Sequence, residues 1–334
     1  MALPTLNWRY VGRFVVGANV INTILDTLYT AGISATYYDG SARTPGASSA
    51  WTWSRYQNAG TTEAVYATPP LAAVSDLRVI VAGQAVIGKV PTMASPDTNV
   101  AAAPMISINK NSGAFNAWEN VAPFTSGQFF GYWRAGNATS SITYSAVHYY
   151  ECEEAVCIVF ESSTQTCYAS IAGAYLDPQS SDVLDAETNG RLYGLSVSGF
   201  NSALSTTHLA NPTFNAAGNA FLRSHSTGAS NAHAGTFTVG AGTLVTHNTG
   251  FGANPNSGTN WNAAQGKLPS GKYLPMGSLP VMNGTTQVAV GTLRDIWVVP
   301  RGRTGTKVQV GGTDWYYPIS GSTSADADAF GLAY

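Results

Sequence analysis

The chain has 334 residues, of which 10% are charged and 11% are aromatic, and its net charge is −2. Disordered proteins have few aromatic residues and a high net charge, and nucleic-acid-binding proteins carry basic faces, so this composition disfavours both classes. The charged fraction is well below the usual share of about 25%. A surface with so few charges opposes association weakly, and we therefore expect a subunit that associates. The alternative is a secreted β-rich protein.

Neither the amino-terminal sequence nor the cysteines indicate secretion. Residues 1–9 lack a basic segment followed by an apolar one, so we expect no signal peptide. No run of about 18 apolar residues occurs, so we expect no membrane insertion. Cys152, Cys157 and Cys167 are odd in number and lie close together, unlike a disulfide framework. We expect the chain to be made and assembled in a reducing cytoplasm.

One amphipathic helix is predicted near the amino terminus, at about residues 19–31. Apolar side chains recur there at helical spacing, with Asn19 as the N-cap and Gly32 just beyond the last turn. We expect the apolar stripe to be buried against a sheet or a neighbouring subunit. Its members are Val20, Ile21, Ile24, Leu25, Leu28 and Tyr29.

Most of the remaining chain has the two-residue periodicity of strands, separated by turns rich in glycine, proline and asparagine. A hairpin is predicted around the turn at 58–60, and a meander over 141–175, in which Val156, Ile158 and Phe160 share one face. The fold class is therefore mainly β, with antiparallel sandwich-like or barrel-like sheets and one amino-terminal helix. Further strands are predicted at 77–81, 105–108, 129–133, 142–150, 287–290, 293–299, 307–310 and 315–319.

The composition divides the chain into three parts. Residues 1–200 are predicted to form a β-rich domain that includes the helix, and residues 270–334 a carboxy-terminal β segment that returns to it. Residues 201–269 are rich in Asn, Gly, Ser and Thr, with few periodic apolar positions. Such a segment offers little apolar area to offset its conformational entropy. We therefore expect a loop-rich arm or insertion that completes its ordering on assembly.

Two sets of residues have the composition of metal sites without the full spacing. His148 with Cys152, Cys157 and Cys167 offers zinc ligands, but no second tight pair follows, and we interpret the cysteines as buried or half-buried thiols. Residues 185–196 begin like a calcium loop. Ser196 stands where that loop needs a bidentate glutamate, which favours a surface turn.

No catalytic motif is present. The chain lacks a nucleophile elbow, a phosphate-binding loop and a dinucleotide fingerprint. We therefore predict no enzyme activity, no catalytic, cofactor-binding or metal-binding residues, and no cofactor. Four histidines at irregular spacing are interpreted as solvated or interface residues rather than proton shuttles or metal ligands: His208, His225, His233 and His247.

Four glutamates near the meander raise the question of a glycosidase. Glu151, Glu153, Glu154 and Glu161 could supply the two carboxylates that glycoside hydrolysis needs. The interpretation we favour is a hairpin tip kept soluble by its charges.

Aromatic residues are clustered in three places. Neighbouring residues of a strand face opposite sides of the sheet, so we expect one side of each cluster in the core and the other at a subunit contact. The alternative is a sugar platform, because flat apolar rings with a polar tip suit carbohydrate faces. The clusters are Trp51, Trp53 and Tyr56; Phe129, Phe130, Tyr132 and Trp133; and Trp315, Tyr316 and Tyr317.

Several segments together resemble virion structural proteins of tailed bacteriophages, in the tail- or head-associated class. They are YDGSARTPG at 38–46, AWTWSRY at 50–56, DP at 177–178, DAETNGRLYG at 185–194 and GTLRDIWVVP at 291–300. The resemblance implies a non-enzymatic subunit of the virion that is assembled in the host cytoplasm. It assigns no functional residue.

Three functions remain open from the sequence. The first is a structural subunit of a phage particle (tail, neck, baseplate or capsid-associated) whose partners are copies of itself and other virion proteins. The second is a receptor-binding or fibre protein that recognises a cell-surface glycan. The third is a glycan-degrading enzyme with a carboxylate pair. No interaction with nucleic acid is expected.

Overall fold

In the computed structural model, the described residues form one α-helix and eighteen β-strands. These residues are 6–18, 20–43, 52–57, 59–61, 64–69, 77–83, 104–110, 131–132, 143–165, 167–173, 176–178, 192–199, 219–224, 237–239, 277–283, 289–310, 314–324 and 327–334.

The elements follow one another along the chain with a single helix after the first strand. They are β1 (Arg9–Val15), α1 (Ile21–Gly32), β2 (Ser54–Gln57), β3 (Ala64–Ala67), β4 (Leu77–Gly83), β5 (Pro104–Lys110), β6 (Gly131–Tyr132), β7 (Tyr144–Glu151), β8 (Ala155–Ser162), β9 (Cys167–Gly173), β10 (Leu176–Pro178), β11 (Leu192–Gly199), β12 (Asn219–Ser224), β13 (Phe237–Val239), β14 (Gly277–Asn283), β15 (Ala289–Gly302), β16 (Val308–Val310), β17 (Asp314–Ser320) and β18 (Ala327–Ala333).

The strands build two antiparallel sheets, which confirms the predicted fold class. The larger sheet has the order β1-β7-β8-β9-β11-β12-β13-β14-β15-β18-β17-β16, with β10 paired to β15. The smaller sheet follows the chain as β2-β3-β4-β5-β6. The strand predicted in two pieces at 287–290 and 293–299 is a single strand, β15. Strands β1, β10, β12, β13, β14 and β18 were not predicted.

The predicted meander is present as β7, β8 and β9, which pair consecutively. Val156, Ile158 and Phe160 share one face of β8 and belong to the main hydrophobic core. Cys157, on the opposite face, is also buried, as is every other residue of β8. This strand is therefore covered on both faces.

Helix α1 lies between the two sheets and contacts β1 and β7 of the larger one and β3, β4 and β5 of the smaller one. Ile24, Leu25 and Leu28 are buried at 0–2% exposure, as the apolar stripe predicted. Val20 precedes the helix and is 54% exposed, so its inclusion in the stripe was wrong. Asn19, the predicted N-cap, lies outside the described residues.

Gly32 is the last residue of α1 rather than the residue beyond it. Its value lies in close packing, because a Cβ atom at this position would overlap the ring of Trp53. The backbone N–H of Trp53 also donates to the carbonyl of Gly32 at 3.2 Å. The glycine thus lets the segment before β2 pack directly on the helix end.

Backbone hydrogen bonds also join strands of the larger sheet that are not neighbours in its strand order. The N–H of Trp8 donates to the carbonyl of Ala333 at 3.0 Å, which joins the start of β1 to the end of β18. Two more backbone bonds join the start of β9 and the turn before it to the residues after β17. The N–H of Cys167 donates to the carbonyl of Gly321 at 3.0 Å, and the N–H of Thr323 donates to the carbonyl of Gln165 at 3.1 Å. The amino-terminal and carboxy-terminal strands are therefore held side by side.

Within the predicted arm at 201–269, the structure describes only β12 and β13. Both are strands of the larger sheet, β12 between β11 and β13 and β13 between β12 and β14. The remainder of this segment lies outside the described residues, so its ordering on assembly stays a prediction.

Candidate functional site

An aromatic and charged surface lies where β1 and β18 meet. It is formed by Arg9 of β1, Tyr38 and Asp39 of the loop after α1, Lys307 before β16, and Tyr334 after β18, and we call it the Tyr38–Tyr334 surface. Tyr38 is 69% exposed and Tyr334 is 41% exposed, and both are among the large hydrophobic side chains that the described surface presents to solvent. An exposed cluster of this kind is a candidate for recognition.

A tight turn presents Tyr38 and Asp39. The N–H of Gly40 donates to the carbonyl of Tyr37 at 3.0 Å, and Gly40 has a φ of +82°, which L-residues rarely adopt. The N–H of Tyr38 donates to the carbonyl of Tyr10 at 3.0 Å, so the turn is attached to β1. The exposed tyrosine is therefore held by backbone bonds on both sides.

Two buried rings lie between the two exposed ones. The ring centroids of Tyr38 and Tyr10 are 5.0 Å apart, those of Tyr10 and Tyr317 are 5.9 Å apart, and those of Tyr317 and Tyr334 are 6.1 Å apart. Tyr10 and Tyr317 are only 3% and 5% exposed. The four rings thus make a continuous aromatic surface whose buried middle is flanked by exposed ends.

Two cations contact this aromatic surface. The Nζ atom of Lys307 lies 3.5 Å from the ring centroid of Tyr334 and 4.9 Å from that of Trp315. The Arg9 guanidinium lies 5.1 Å from the Tyr334 ring and 4.1 Å from the Tyr37 ring. Each distance is within the range of a cation–π interaction. Burial lowers the pKa of Lys307.

Asp39 supplies a carboxylate beside these cations. Its Oδ1 accepts hydrogen bonds from the hydroxyl and N–H of Ser41 at 2.6 and 2.9 Å, and its Oδ2 lies 3.2 Å from Arg9. The bonds from Ser41 lower the pKa of Asp39, with a smaller contribution from Arg9. The carboxylate is therefore charged and fixed in orientation at neutral pH.

A buried polar chain runs beneath the surface. The Tyr10 hydroxyl lies 2.8 Å from Nδ1 of His148, and Nε2 of His148 lies 3.0 Å from Glu161. Arg13 donates to the same carboxylate through Nε at 2.8 Å and Nη2 at 2.9 Å. Burial raises the pKa of Glu161, but the bonds from His148 and Arg13 outweigh it and hold the pKa at about 2. Burial lowers the pKa of His148.

The residues just before Lys307 are held by contacts with β7 and β17. The N–H of Gly305 donates to the hydroxyl of Tyr150 at 3.0 Å, and Gly305 has a φ of +91°. A Cβ atom on Gly305 would come within 3.0 Å of the His148 ring. Thr304 exchanges two 3.0 Å bonds with Ser320 of β17. These contacts fix the backbone from which Lys307 reaches the aromatic rings.

A second buried ion pair lies at the other end of β7. Arg43 donates to both oxygens of Glu151 at 2.7 Å, and both side chains are at most 2% exposed. Arg43 also donates to the carbonyls of Gly32 and Ser34, each at 2.9 Å. Since these carbonyls end helix α1, Arg43 fastens the helix to the larger sheet.

The glutamates do not form the soluble hairpin tip that the sequence suggested. Glu151, Glu154 and Glu161 are at most 4% exposed, so that interpretation was wrong for all three. Glu151 and Glu161 lie five positions apart along the β7–β8 hairpin, or about 17 Å at the usual strand rise. A glycosidase holds its two carboxylates about 5–9.5 Å apart. These two glutamates are therefore too far apart to act as a glycosidase pair, and each belongs to its own ion pair, Glu151 with Arg43 and Glu161 with Arg13.

The structure brings His148 to Tyr10 and Glu161 rather than to the cysteines. Cys152, Cys157 and Cys167 are free and buried, which confirms the interpretation of the cysteines as buried thiols. Burial raises the pKa of all three, that of Cys167 to about 12. Among the described residues, no group of three or more His, Cys, Asp and Glu is arranged to hold a metal ion.

Several candidates from the sequence lie outside the described residues: the turn at 185–191, Trp51, Phe129, Phe130, Trp133, His208, His225, His233 and His247. Trp53 and Tyr316 are buried in the core, and Trp315 is half-buried beside Lys307. The sequence did not single out Arg9, Lys307 or Tyr334. A tyrosine pair directly before an Asp-Gly turn, at 37–40, was the one local signal for this surface.

The chain matches no protein-family model and no curated protein sequence. Within the described residues, no helix has the length and apolar character needed to cross a membrane.

Proposed function

We propose that the chain is a non-enzymatic structural subunit of a tailed-phage particle and acts by packing against copies of itself and other virion proteins. The observation that carries the proposal is the charged fraction of 10%, with five lysines in 334 residues. Lysine is depleted at protein interfaces and common on surfaces that stay free. The segments that resemble phage virion proteins support the same function.

The described surface contains apolar side chains suited to self-association. Val15, at the end of β1, is 68% exposed, and Val20, at the start of α1, is 54% exposed. Val15 ends β1 and Val20 directly precedes α1, while the other apolar residues of these two elements are buried in the core or packed against it. We assign this pair to a contact with a second copy of the chain.

The buried charges support a structural role. One buried contact, between His148 and Glu161, joins strands β7 and β8. Another, between Arg43 and Glu151, joins the end of helix α1 to β7. A buried charge that is paired stabilises the fold only with good geometry, and breaking the pair is costly. We therefore assign these groups a structural role, and the proposed function requires no cofactor. The chain is then part of the virion after assembly in the host cytoplasm.

Sedimentation velocity tests the self-association. We expect the wild-type chain to form oligomers whose share grows with concentration, and the double substitution Val15→Lys with Val20→Lys to weaken association at least tenfold. The matched control adds the same charges at the exposed β2–β3 turn, as Ala59→Lys with Thr61→Lys, and should associate like the wild type. A wild-type chain that stays monomeric at high concentration would contradict the proposal.

A second candidate function is recognition of a cell-surface glycan. The Tyr38–Tyr334 surface favours it, because two exposed rings flank two buried ones and polar groups lie alongside. Tyrosine rings offer a flat apolar face with a polar tip, which suits the faces of pyranose sugars. This function is compatible with assembly, since Tyr38 and Val15 lie on different segments.

A further inference from the structure

We propose that the Tyr38–Tyr334 surface binds an acidic carbohydrate, with sugar faces on the exposed tyrosines and the sugar carboxylate at Lys307. This inference rests on the second candidate function and names its ligand class. It does not depend on self-association.

Lys307 is the group of this surface that points to an anionic ligand. The side chains of the surface include two cations, Arg9 and Lys307, and one carboxylate, Asp39. Asp39 lies within ion-pair distance of Arg9 and interacts with Lys307 only at longer range, so that among the described residues Lys307 has neither an ion pair nor a hydrogen bond. An ammonium group has three donors, and the Tyr334 and Trp315 rings offer only their faces. Lys307 is exposed, so a ligand carboxylate can replace the water at its ammonium group.

The exposed rings and the Asp39 carboxylate indicate that the anionic ligand is a sugar. The rings of Tyr38 and Tyr334 provide two exposed faces for stacking against C–H groups. The Asp39 carboxylate can accept hydrogen bonds from sugar hydroxyls, and it repels the several charges of a polyphosphate more strongly than the single carboxylate of a sugar. A cationic ligand is disfavoured, because Lys307 and Arg9 already lie over the Tyr334 ring. The combination therefore fits a pyranose with one carboxylate better than it fits a nucleic acid.

The surface is rigid enough to act as a preformed site. The turn at Gly40 and the backbone bond from Tyr38 to Tyr10 fix one end. The bond from Gly305 to Tyr150 fixes the segment that carries Lys307. Preformed sites lose less conformational entropy on binding than flexible ones.

Calorimetric titration with two matched pairs of sugars tests the inference. The probes are trigalacturonic acid and sialyllactose, each compared with its own methyl ester. We expect at least one acid to bind at least tenfold more tightly than its neutral partner, and salt to weaken that binding. Lys307→Met should remove the preference for the acid, and Tyr38→Ala should weaken the acid and the neutral sugar alike. Arg55→Gln removes a half-exposed positive charge on β2 and should leave binding unchanged.

The outcomes separate this inference from the function beneath it. Equal binding of acid and neutral sugars, or an acid preference that survives in Lys307→Met, would overturn the inference and leave glycan recognition standing. No binding of any of the four sugars would overturn both. A single-stranded oligonucleotide that binds the surface more tightly than either acid would also overturn the inference. Melting temperatures of the variants, equal to that of the wild type, show that each variant folds.

Discussion

The hydroxyl of Tyr10 lies 2.8 Å from Nδ1 of His148, so one tyrosine belongs both to the exposed aromatic surface and to the buried polar chain. Its ring contacts the ring of Tyr38, while its hydroxyl points into the sheet. Glu161 is ionised and only accepts hydrogen bonds, so Nε2 of neutral His148 carries the proton and Nδ1 accepts from Tyr10. The shape of the surface therefore depends on a buried bond.

Removal of that hydroxyl should destabilise the protein. Tyr10→Phe leaves Nδ1 of His148 as a buried acceptor without its donor, which costs about 1–3 kcal/mol. Urea denaturation measures the change in the free energy of unfolding. Tyr38→Phe is the control, since the exposed hydroxyl of Tyr38 should contribute less than about 0.5 kcal/mol. Equal stability of the two variants would show that the hydrogen bond between Tyr10 and His148 does not stabilise the fold.

Acid should destabilise the fold through two groups of the buried polar chain, Glu161 and His148. The pKa of Glu161 falls from its ordinary 4.5 to about 2, so its contribution is present above pH 4.5 and is lost between 4.5 and 2. The pKa of His148 lies below its ordinary 6.5, so its protonation in the unfolded state also lowers stability as pH falls below 6.5. Both effects have the same sign.

Glu161→Gln separates the two contributions. The variant should lose the part of the pH dependence between about 4.5 and 2. The change that begins below pH 6.5 should persist and grow, because the ionised Glu161 raises the pKa of His148 and the glutamine does not. The free energy of unfolding, measured by urea denaturation at several pH values, gives the two slopes. Identical slopes in variant and wild type below pH 4.5 would assign the acid sensitivity to other groups.

The Arg43–Glu151 pair should be costly to break and cheap to replace. Arg43→Met leaves the Glu151 carboxylate buried and unpaired, with an expected loss of about 3–5 kcal/mol. The double variant Arg43→Met with Glu151→Met should recover a large part of that loss. Arg55→Gln breaks the exposed contact with Asp26 and should cost less than about 1 kcal/mol. A double variant as unstable as Arg43→Met would mean that the bonds from Arg43 to the helix end dominate.

Gly32 should tolerate no side chain. Gly32→Ala places a methyl group against the Trp53 ring and should destabilise the protein by about 1–3 kcal/mol through overpacking. Gly17→Ala is the control, because a Cβ atom there meets only Thr23, at 3.9 Å. Thermal denaturation compares the two. A Gly32→Ala variant as stable as Gly17→Ala would show that Trp53 can move away.

The sequence predicted features that depend on local periodicity. The stripe of Ile24, Leu25 and Leu28 and the meander of β7 to β9 are present, because each repeats within one element. The fate of Glu161 could not be predicted. Its partner Arg13 is 148 positions away, and a glutamate beside a turn has the same local pattern whether it is solvated or paired.

Strand β1 and the Tyr38–Tyr334 surface were missed for a related reason. Residues of β1 do not alternate strictly, since its register shifts between Tyr10 and Gly12. The surface combines Arg9, Tyr38, Lys307 and Tyr334 from four separate segments, and only the sheet topology brings them together. Composition could suggest association, but it could not locate a contact.

Electron microscopy of phage particles treated with gold-labelled antibody against this chain tests the proposed structural role in the virion. We expect gold at one fixed position on intact particles, with the chain present in stoichiometric amount after purification. Particles without gold, with the chain found only in the unassembled fraction of the same lysate, would contradict a structural role in the virion.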